Sequence, residues 1–365
     1  MDSSDVDQPS VLPRGVVVLI GLACIVVTVA GLRSIAGLVG PVVLALMLTI
    51  AVHPLGRWLR RRGCPAWLAA LAVLLGVYGI IIFLFVSVIF SIAQLATLMP
   101  QYADKFDGLV DDFRDFLSDR GIDASSIHDM LANVDAGKLI SAAGDLLSGL
   151  MSATSALVLV LTVALFMAMD ATGFGDRIAV LDRIRPNVST ALGDFAAGTR
   201  TYLVVSTAFG LIVAVLDAGA LWAMGIPLPI LWGLLSFITN YIPNIGFVIG
   251  VIPPALLALL DGGGGKMLLV IVVYSAINMV IQTGIQPKFI GDAVGLSTTL
   301  TFLSLVVWAW ILGPLGAILA VPLTILVKCL LIDIDPTTRW MNYLIADSVD
   351  KNLDPSPDPE GTTHV

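Results

Sequence analysis

The stretch Asn240-Tyr-Ile-Pro-Asn-Ile-Gly246 interrupts a charge-free apolar segment, Ile226–Leu260, near its middle. A second charge-free segment, Ala293–Val327, is interrupted in the same way by Gly313-Pro-Leu-Gly316. Each segment has 35 residues, and a continuous helix of that length would be about 50 Å long, against a hydrocarbon core of about 30 Å. Neither segment is therefore a simple membrane span, and paired, interrupted segments of this kind indicate a transport site.

The composition predicts a membrane protein. The chain has 365 residues, of which 58% are hydrophobic and 13% charged, with a mean hydropathy of +0.97. A soluble domain could not bury so much apolar surface. The net charge of -8 argues against nucleic-acid binding. The cysteines and histidines are too scattered to predict a disulfide framework, a metal site or another cofactor. No nucleophile–base pair stands out either, so we do not expect an enzyme.

Six single spans are predicted in addition to the two broken segments. They are Gly15–Leu32, Ile35–Val52, Ala66–Met99, Leu150–Met169, Tyr202–Met224 and Met267–Ile285. The fold class is therefore an all-α polytopic membrane protein with about eight membrane segments. Ala66–Met99 is too long for one span, so its end is expected to tilt or to project from the membrane.

Basic loops predict the orientation of the chain. The loop His53–Pro65 contains four arginines and no acid, and the loop after Asp170 is also rich in arginine. Both are therefore placed in the cytoplasm, together with the two termini. The insert Pro100–Gly149 is then external, and it contains ten acidic residues. Aromatic and leucine side chains in this insert recur at steps of four and three, which is typical of an amphipathic helix. They are Tyr102, Phe106, Leu109, Phe113 and Phe116. The sequence leaves three roles open for this helix. It packs on its own chain, lies on the membrane surface or forms a contact between subunits.

The two broken segments fit either kinked crossings or re-entrant hairpins, and both leave the C-terminus in the cytoplasm. Arm length favours hairpins, because Leu228–Tyr241 and Gly246–Leu260 are each about 14 residues, or about 21 Å, long. In the hairpin topology, Tyr202–Leu260 forms a span and then a hairpin that enters the membrane from outside. Met267–Val327 follows as a second span and then a hairpin that enters from inside. This arrangement is an inverted repeat, which places a binding site near the midplane of the membrane. Pro253 and Pro322 lie downstream of the two tips.

Several polar residues of the membrane segments are candidates for a solute or ion pathway. Asn278, Gln282 and Gln286 follow one another at i, i+4 and i+8, on one helical face. Asn240 and Asn244 flank Pro243 at the first tip. Amides at such positions either join helices and cap broken ends or line a polar path.

Asp217 is the one acidic residue inside the span Tyr202–Met224. Carboxylates within a membrane segment are costly and usually functional, as proton relays or cation ligands. Because Asp217 lies about two turns from the outer end of its span, a side chain that reaches the interface is the alternative.

Three motifs together resemble the autoinducer-2 exporter (AI-2E) superfamily of bacterial permeases. The first is Tyr241-Ile-Pro-Asn-Ile-Gly246, followed by a proline-rich stretch that begins at Ile252. The others are Gln286-Pro-Lys-Phe-Ile-Gly291 with Val294-Gly-Leu296, and Gly313–Pro322. The similarity extends from about Leu12 to Leu331. Two departures occur: Phe247 stands where many members have a second proline, and Ser297-Thr298 where histidine-proline is common.

The resemblance implies a plasma-membrane exporter of small polar molecules that forms homo-oligomers, with pentamers expected. Some members are similar to sodium–proton antiporters. Carried over by position, a set of prolines and glycines would shape the hairpins and their junctions. This set is Pro243, Gly246, Pro287, Gly291, Gly313, Gly316 and Pro322, to which the tip sequence adds Pro314.

The sequence thus predicts a secondary transporter in the bacterial plasma membrane, driven by an Na⁺ or H⁺ gradient because no ATP-binding motif is present. The alternatives are a cation–proton antiporter that uses Asp217 and, from another class, a non-transporting scaffold or sensor. The expected segments of the chain are a cytoplasmic tail (1–11), membrane helices (12–99), the external insert (100–149), a helix with its basic loop (150–200), the transport unit (201–331) and an acidic cytoplasmic tail (332–365).

Overall fold

The computed structural model describes residues 13–103, 105–108, 141, 144–145, 148–149, 153–243, 245–286, 289, 296–335, 337–338 and 341–345. Over these residues the secondary structure is helical, without strands. Five helices are long and apolar enough to cross a membrane, or up to six if a bent pair forms one span. The prediction of an all-α polytopic membrane protein is therefore confirmed, and all six predicted single spans fall on these helices.

The first half of the described chain contains four long helices. They are α1 (Arg14–Ser34), α2 (Ala36–Arg61), α3 (Ala66–Leu98) and α4 (Thr154–Ile184). The apolar helix that contains α3 runs over Trp67–Tyr102, 36 residues, so it exceeds one membrane thickness as predicted. α4 is bent by 64° between Thr154–Asp170 and Gly173–Ile184. The predicted span Leu150–Met169 thus ends at this bend, and the basic loop that follows begins as helix.

The second half contains the two broken segments. α5 (Pro186–Ala223) has 38 residues and precedes the short α6 (Pro229–Thr239). α7 (Gly246–Asn278) contains a break at Gly262 and Gly263, where the backbone is not helical. We call its two parts α7a (246–261) and α7b (264–278); a π-helical segment, Met279–Ile285, continues α7b. The chain ends with α8 (Thr298–Leu312), α9 (Pro314–Ile318), α10 (Ala320–Lys328), a π-helical Cys329–Asp333 and α11 (Asn342–Ile345).

α6 and α7a fold back on each other as an antiparallel hairpin, named hairpin 1. A Cβ atom on Gly246 would overlap the carbonyl of Thr239, and one on Gly250 would lie 3.7 Å from Ser236 Oγ. Moving away from the tip, successive residues of α7a therefore lie opposite residues progressively earlier in α6, as in any antiparallel pair of helices. Two departures from ordinary backbone geometry precede the hairpin, at Gly225 (φ 66°) and Leu228 (φ 58°). The contacts confirm a hairpin for the first broken segment, because a kinked crossing would carry the two arms apart.

α8 forms the second hairpin, hairpin 2, with α9 and α10. Gly313 turns the chain with φ 69°, a value that glycine adopts without steric cost. A Cβ atom on Gly316 would overlap the carbonyl of Trp308, so this tip depends on a glycine in the same way as the first. Further down the arms, Trp308 Nε1 donates a hydrogen bond to Thr324 Oγ1 at 3.0 Å.

The two hairpins open toward opposite ends of α5. Leu228, Leu260 and Met267, at the open end of hairpin 1, pack in one cluster with Leu221 near the end of α5. At the open end of hairpin 2, Cys329 Sγ donates a hydrogen bond to the carbonyl of Ala191, near the start of α5. α5 thus runs beside both hairpins, and the predicted inverted arrangement is present in the fold.

The tip of hairpin 1 lies near the middle of α5 and shares an apolar cluster with hairpin 2. Tyr241 of hairpin 1 packs in the same apolar cluster as Ile311 and Leu319 of hairpin 2, together with Tyr202 and Leu203 of α5. The tip of hairpin 2 also contacts α2, where a Cβ atom on Gly40 would lie 3.2 Å from Leu315 Cδ1.

Charged residues mark the two ends of this bundle differently. His53 lies close to Arg57 and Arg200 at the end where hairpin 2 opens. At the other end, Lys266 pairs with Asp261, which also accepts a hydrogen bond from Tyr102 at 3.2 Å. Lys266 therefore lies at the end of the molecule opposite the basic loops, as the hairpin topology requires.

The described part of the external insert packs on its own chain. Tyr102 is buried in the cluster at the open end of hairpin 1, which fits the first of the three readings of the insert. Leu109, Phe113 and Phe116 lie outside the described residues.

Candidate functional site

One face of α5 receives the tip of hairpin 1. Tyr202 donates a hydrogen bond from its hydroxyl to the carbonyl of Tyr241 at 2.9 Å. Thr207 Oγ1 and the Tyr241 hydroxyl form a second bond of 2.6 Å. Gly210 leaves room for the tip, because a Cβ atom there would lie 2.9 Å from Asn240 Nδ2. The tip is therefore held against α5 by directional bonds as well as by packing.

Asn240 is the central polar residue of the tip. It is buried, and its Nδ2 donates to the carbonyl of Ser206 at 3.0 Å. Its Oδ1 accepts a hydrogen bond from Gln282 Nε2 at 2.8 Å. This one side chain thus joins α5, hairpin 1 and the helix that follows hairpin 1. Burial of an amide is tolerated when its donor and acceptor are both paired.

Gln282 lies in the π-helical segment that continues α7b. The sequence predicted a continuous α-helical face for Asn278, Gln282 and Gln286, but the helix changes type directly after Asn278. This is a correction, and its cause is the i→i+5 hydrogen-bond pattern, which rotates each residue less about the axis than an α-helix does. Such segments are frequent at functional sites. Here the segment carries the side chain that bonds Asn240.

The other two amides of the predicted stripe have different environments. Asn278 is buried and donates from Nδ2 to the carbonyl of Tyr274, one turn earlier, at 2.9 Å. Its donor therefore serves its own helix. Gln286 is also buried, and its backbone N–H bonds the carbonyl of Ile281 at 2.8 Å. Of the three, the structure brings Gln282 into contact with the tip.

Asp217 is fully buried on α5, with 0% of its surface exposed. The alternative that its carboxylate reaches the outer interface is therefore wrong. Ser236 of α6 lies beside the carboxylate, and Tyr274 of α7b is next to both. The Ser236 hydroxyl lies within reach of both neighbours, but neither carboxylate oxygen, Ser236 Oγ nor the Tyr274 hydroxyl makes a hydrogen bond of good geometry with a protein atom.

Close helix packing creates this polar group. A Cβ atom on Gly233 would lie 2.8 Å from the carbonyl oxygen of Ala214 and 2.9 Å from Ala218 Cβ. Small residues on both helices thus let α6 approach α5 closely, as they do at many helix–helix contacts in membranes. The approach places Ser236, one turn after Gly233, beside Asp217.

The predicted hairpin-shaping residues have distinct local roles. Gly313 precedes α9, and Pro314 is the first residue of that helix, where its missing N–H removes no hydrogen bond. Pro322 is the third residue of α10, so its missing N–H also removes no hydrogen bond within that helix. Pro253 lies inside α7, in the second arm of hairpin 1, and does not interrupt that helix. Pro243 lies in the turn between α6 and α7. Asn244, Pro287 and Gly291 lie outside the described residues.

Several functional residues were not predicted from the sequence. On α5 they are Tyr202, Ser206, Thr207 and Gly210, and on the neighbouring helices Ser236 and Tyr274. On α5, Tyr202, Ser206 and Gly210 recur at steps of four, with Thr207 next to Ser206, which is a detectable pattern of hydroxyl and small side chains on one helical face. The nearness of Ser236 and Tyr274 to Asp217 has no such signal, because it depends on how three helices pack. Over the described residues there is no group of three or more metal-ligating His, Cys, Asp or Glu side chains.

Opposed hairpins along one long membrane helix, with a polar amide contact at the tip of the first hairpin, are typical of a membrane transporter. The family model described as AI-2E family transporter matches residues 22–334. The chain therefore belongs to this family, and the resemblance is confirmed. It is a multi-pass bacterial membrane protein.

Relatives with assigned or putative transport names cover nearly the whole chain. The AI-2 transport protein TqsA of Escherichia coli K12 is 31% identical over 322 residues, which cover 88% of this chain and 93% of the relative. The putative transport protein YhhT of the same strain is 29% identical, covering 88% and 92%. A putative transport protein of Haemophilus influenzae Rd is 30% identical, covering 91% and 97%.

Proposed function

We propose that this protein is a secondary transporter that exports a small polar solute across the bacterial inner membrane, driven by an ion gradient. Both termini face the cytoplasm in this proposal, because the arginine-rich loops lie at one end of the bundle. The observation that carries the proposal is the bond between Gln282 and Asn240, at the tip of hairpin 1 and near the middle of α5.

The amide pair has the chemistry of a solute site. Asn and Gln each offer hydrogen-bond donors and an acceptor without a net charge. A polar solute can therefore replace the hydrogen bond between the two amides with hydrogen bonds of its own. The pair also joins elements from both halves of the inverted repeat, since Asn240 belongs to the first and Gln282 to the second. A solute that replaced this bond would release the tip from the following helix, which is the kind of differential contact that alternating access requires.

Asn278 and Gln286 extend the proposed pathway along the same helix on either side of Gln282: Asn278 lies toward the end where hairpin 1 opens, and Gln286 lies toward the opposite end. Asn244 adjoins the tip in sequence. The most similar relatives include a protein named for AI-2 transport, so AI-2 is the first solute to test, followed by other small polyhydroxylated and amide-bearing metabolites.

Flux through purified protein in liposomes tests the proposal. Each solute is measured under an imposed Na⁺ gradient, an imposed pH gradient and a potassium diffusion potential. Asn240→Ala and Gln282→Ala are expected to lower the flux at least tenfold, which corresponds to about 1.4 kcal/mol. Gln94→Ala is the matched control, because Gln94 is an exposed amide on α3.

Two outcomes would contradict the proposal. If Asn240→Ala and Gln282→Ala transport like Gln94→Ala, the solute pathway lies elsewhere. If wild-type protein moves no solute under any of the three gradients, the alternative of a membrane scaffold or sensor gains support.

A further inference from the structure

We propose that Asp217, Ser236 and Tyr274 form a binding site for a monovalent alkali cation, with Na⁺ as the preferred probe. This inference rests on the proposed function, because it identifies the site of the coupling ion. The site is separate from the amide pair: Asp217 lies seven residues after Gly210 on α5, which is about 10 Å along the helix.

The buried carboxylate requires a counter-charge or a proton. Asp217 has no exposed surface and no hydrogen bond to either oxygen. Burial of an ionised, unpaired carboxylate in an apolar interior is strongly unfavourable. Over the described residues no Lys, Arg or His forms an ion pair with it. A bound cation, or a bound proton when the cation is absent, satisfies this requirement.

The surrounding oxygens fit a small, hard cation. The Ser236 hydroxyl is buried and lies beside the carboxylate, without a hydrogen bond of good geometry to it. The Tyr274 hydroxyl, from a third helix, is equally buried and also lacks such a bond. Three helices thus present four oxygen atoms, two of them from the carboxylate, to one place. Oxygen ligands are those that hard cations prefer.

The charge of the group favours a monovalent ion over a divalent one. Sites for Ca²⁺ and Mg²⁺ in proteins usually contain more than one carboxylate or a phosphate, whereas this group has one carboxylate. The other titratable groups on the packed elements lie away from this site. Asp194, Arg200 and Tyr202 lie at least 15 residues before Asp217 on α5, and the Tyr241 hydroxyl is bonded to Thr207 at the tip of hairpin 1. Tyr102 and the Asp261–Lys266 pair lie at the open end of hairpin 1, where Asp261 neutralises Lys266.

The position of Ser236 connects this site to the hairpin tip. Ser236 and Asn240 are one turn apart on α6 and its C-terminal extension, and the backbone N–H of Asn240 bonds the carbonyl of Ser236 at 3.0 Å. A cation held between Asp217 and Ser236 would fix α6 against α5, and with it the Asn240 side chain. Exchange of the cation for a proton would weaken that restraint. Cation binding is thereby coupled to the solute site.

Binding of ²²Na⁺ to purified wild-type protein in detergent, without solute, tests the inference directly. We expect saturable binding of about one ion per protomer, a rise in Tm in NaCl relative to choline chloride at equal ionic strength, and release of protons when Na⁺ is added to weakly buffered protein. Asp217→Asn, which retains the shape of the side chain, should abolish all three effects. Asp194→Asn, an exposed carboxylate on the same helix, should leave them unchanged.

Ser236→Ala and Tyr274→Phe keep the inference testable if Asp217→Asn does not fold. Each removes one oxygen ligand, and each is expected to weaken ²²Na⁺ binding at least fivefold. Absence of saturable Na⁺ binding to the wild type, or unchanged binding in Asp217→Asn, overturns the cation site. The proposed solute transport is judged separately, by flux in the Asn240 and Gln282 variants, so it can survive that result.

Discussion

Asn240 occupies the space that Gly210 leaves on α5, with its Nδ2 atom 2.9 Å from where a Cβ atom of residue 210 would lie. The contact explains why a buried amide can reach the backbone of α5 and still accept a bond from Gln282. It also makes the hairpin tip sensitive to one methyl group.

Gly210→Ala is expected to displace Asn240 and break its bonds to Ser206 and Gln282. Overpacking of this kind costs about 1–3 kcal/mol, so Tm should fall by several degrees and solute flux should fall as in Asn240→Ala. Gly219→Ala is the matched control on the same helix, since nothing lies within 4 Å of its Cβ position. Alanine is the better helix former, so the control should be neutral or slightly stabilising. Equal effects of the two changes would contradict the role of Gly210.

Gly246→Ala and Gly316→Ala are expected to prevent correct formation of their hairpins. At both positions a Cβ atom would overlap a backbone carbonyl, of Thr239 and of Trp308 respectively, and backbone cannot move aside as a flexible side chain can. We expect a loss of more than about 3 kcal/mol, seen as a low yield of monodisperse protein after detergent extraction. Gly79→Ala, with open space around its Cβ position, should extract like the wild type. Normal yield and Tm for Gly246→Ala would show that the tip is built differently.

Cysteine labelling tests the orientation of hairpin 1 in the membrane. Gly265 is exposed, with nothing within 4 Å of its Cβ position, and it lies at the open end of the hairpin beside Lys266. In a background in which Cys24, Cys64 and Cys329 are replaced by serine, Gly265→Cys should react with a membrane-impermeant maleimide on intact cells. Arg57→Cys, at the opposite end of the bundle, should react only after permeabilisation. Labelling of Gly265→Cys that depends on permeabilisation would favour a kinked crossing instead.

A disulfide between residues 40 and 315 tests whether hairpin 2 moves during transport. The Cβ position of Gly40 lies 3.6 Å from Leu315 Cβ, within the range of about 3.5–4.5 Å that disulfides adopt. In the same cysteine-free background, oxidation of Gly40→Cys/Leu315→Cys should fix the tip of hairpin 2 to α2. Flux should then fall at least tenfold and recover after reduction. The single variant Gly40→Cys should be insensitive to oxidant. Full flux through the cross-linked protein would exclude this tip from the moving part.

The hairpins could be predicted because their causes are local. Length alone shows that Ile226–Leu260 is too long for one span, and the proline and glycine residues of each tip cannot continue a regular helix. The turn at Gly313 and the first residue of α9 at Pro314 follow from that chemistry. Pro253 does not break α7, because a proline inside a membrane helix is tolerated when packed neighbours compensate.

The site could be predicted only in part. Asn240, Gln282 and Asp217 are conspicuous as polar residues in apolar segments, so the sequence could single them out as candidates. It could not single out their partners: Ser206 and Ser236 are ordinary small residues in sequence, and they matter because Gly210 and Gly233 bring their helices close. The change to a π-helix after Asn278 also has no reliable sequence signal, and it redirects the amide stripe.

The sequence by itself determined that this chain is a membrane protein and where its helices break, because hydropathy, proline and glycine act over a few residues. Only the tertiary structure decided that the tip of hairpin 1 lies midway along α5, that Gln282 bonds Asn240, and that Asp217, Ser236 and Tyr274 share one buried group. These relationships depend on the distances between helices that are far apart in the chain. Close contacts at small residues set those distances, and the pattern of residues within a single helix does not predict them.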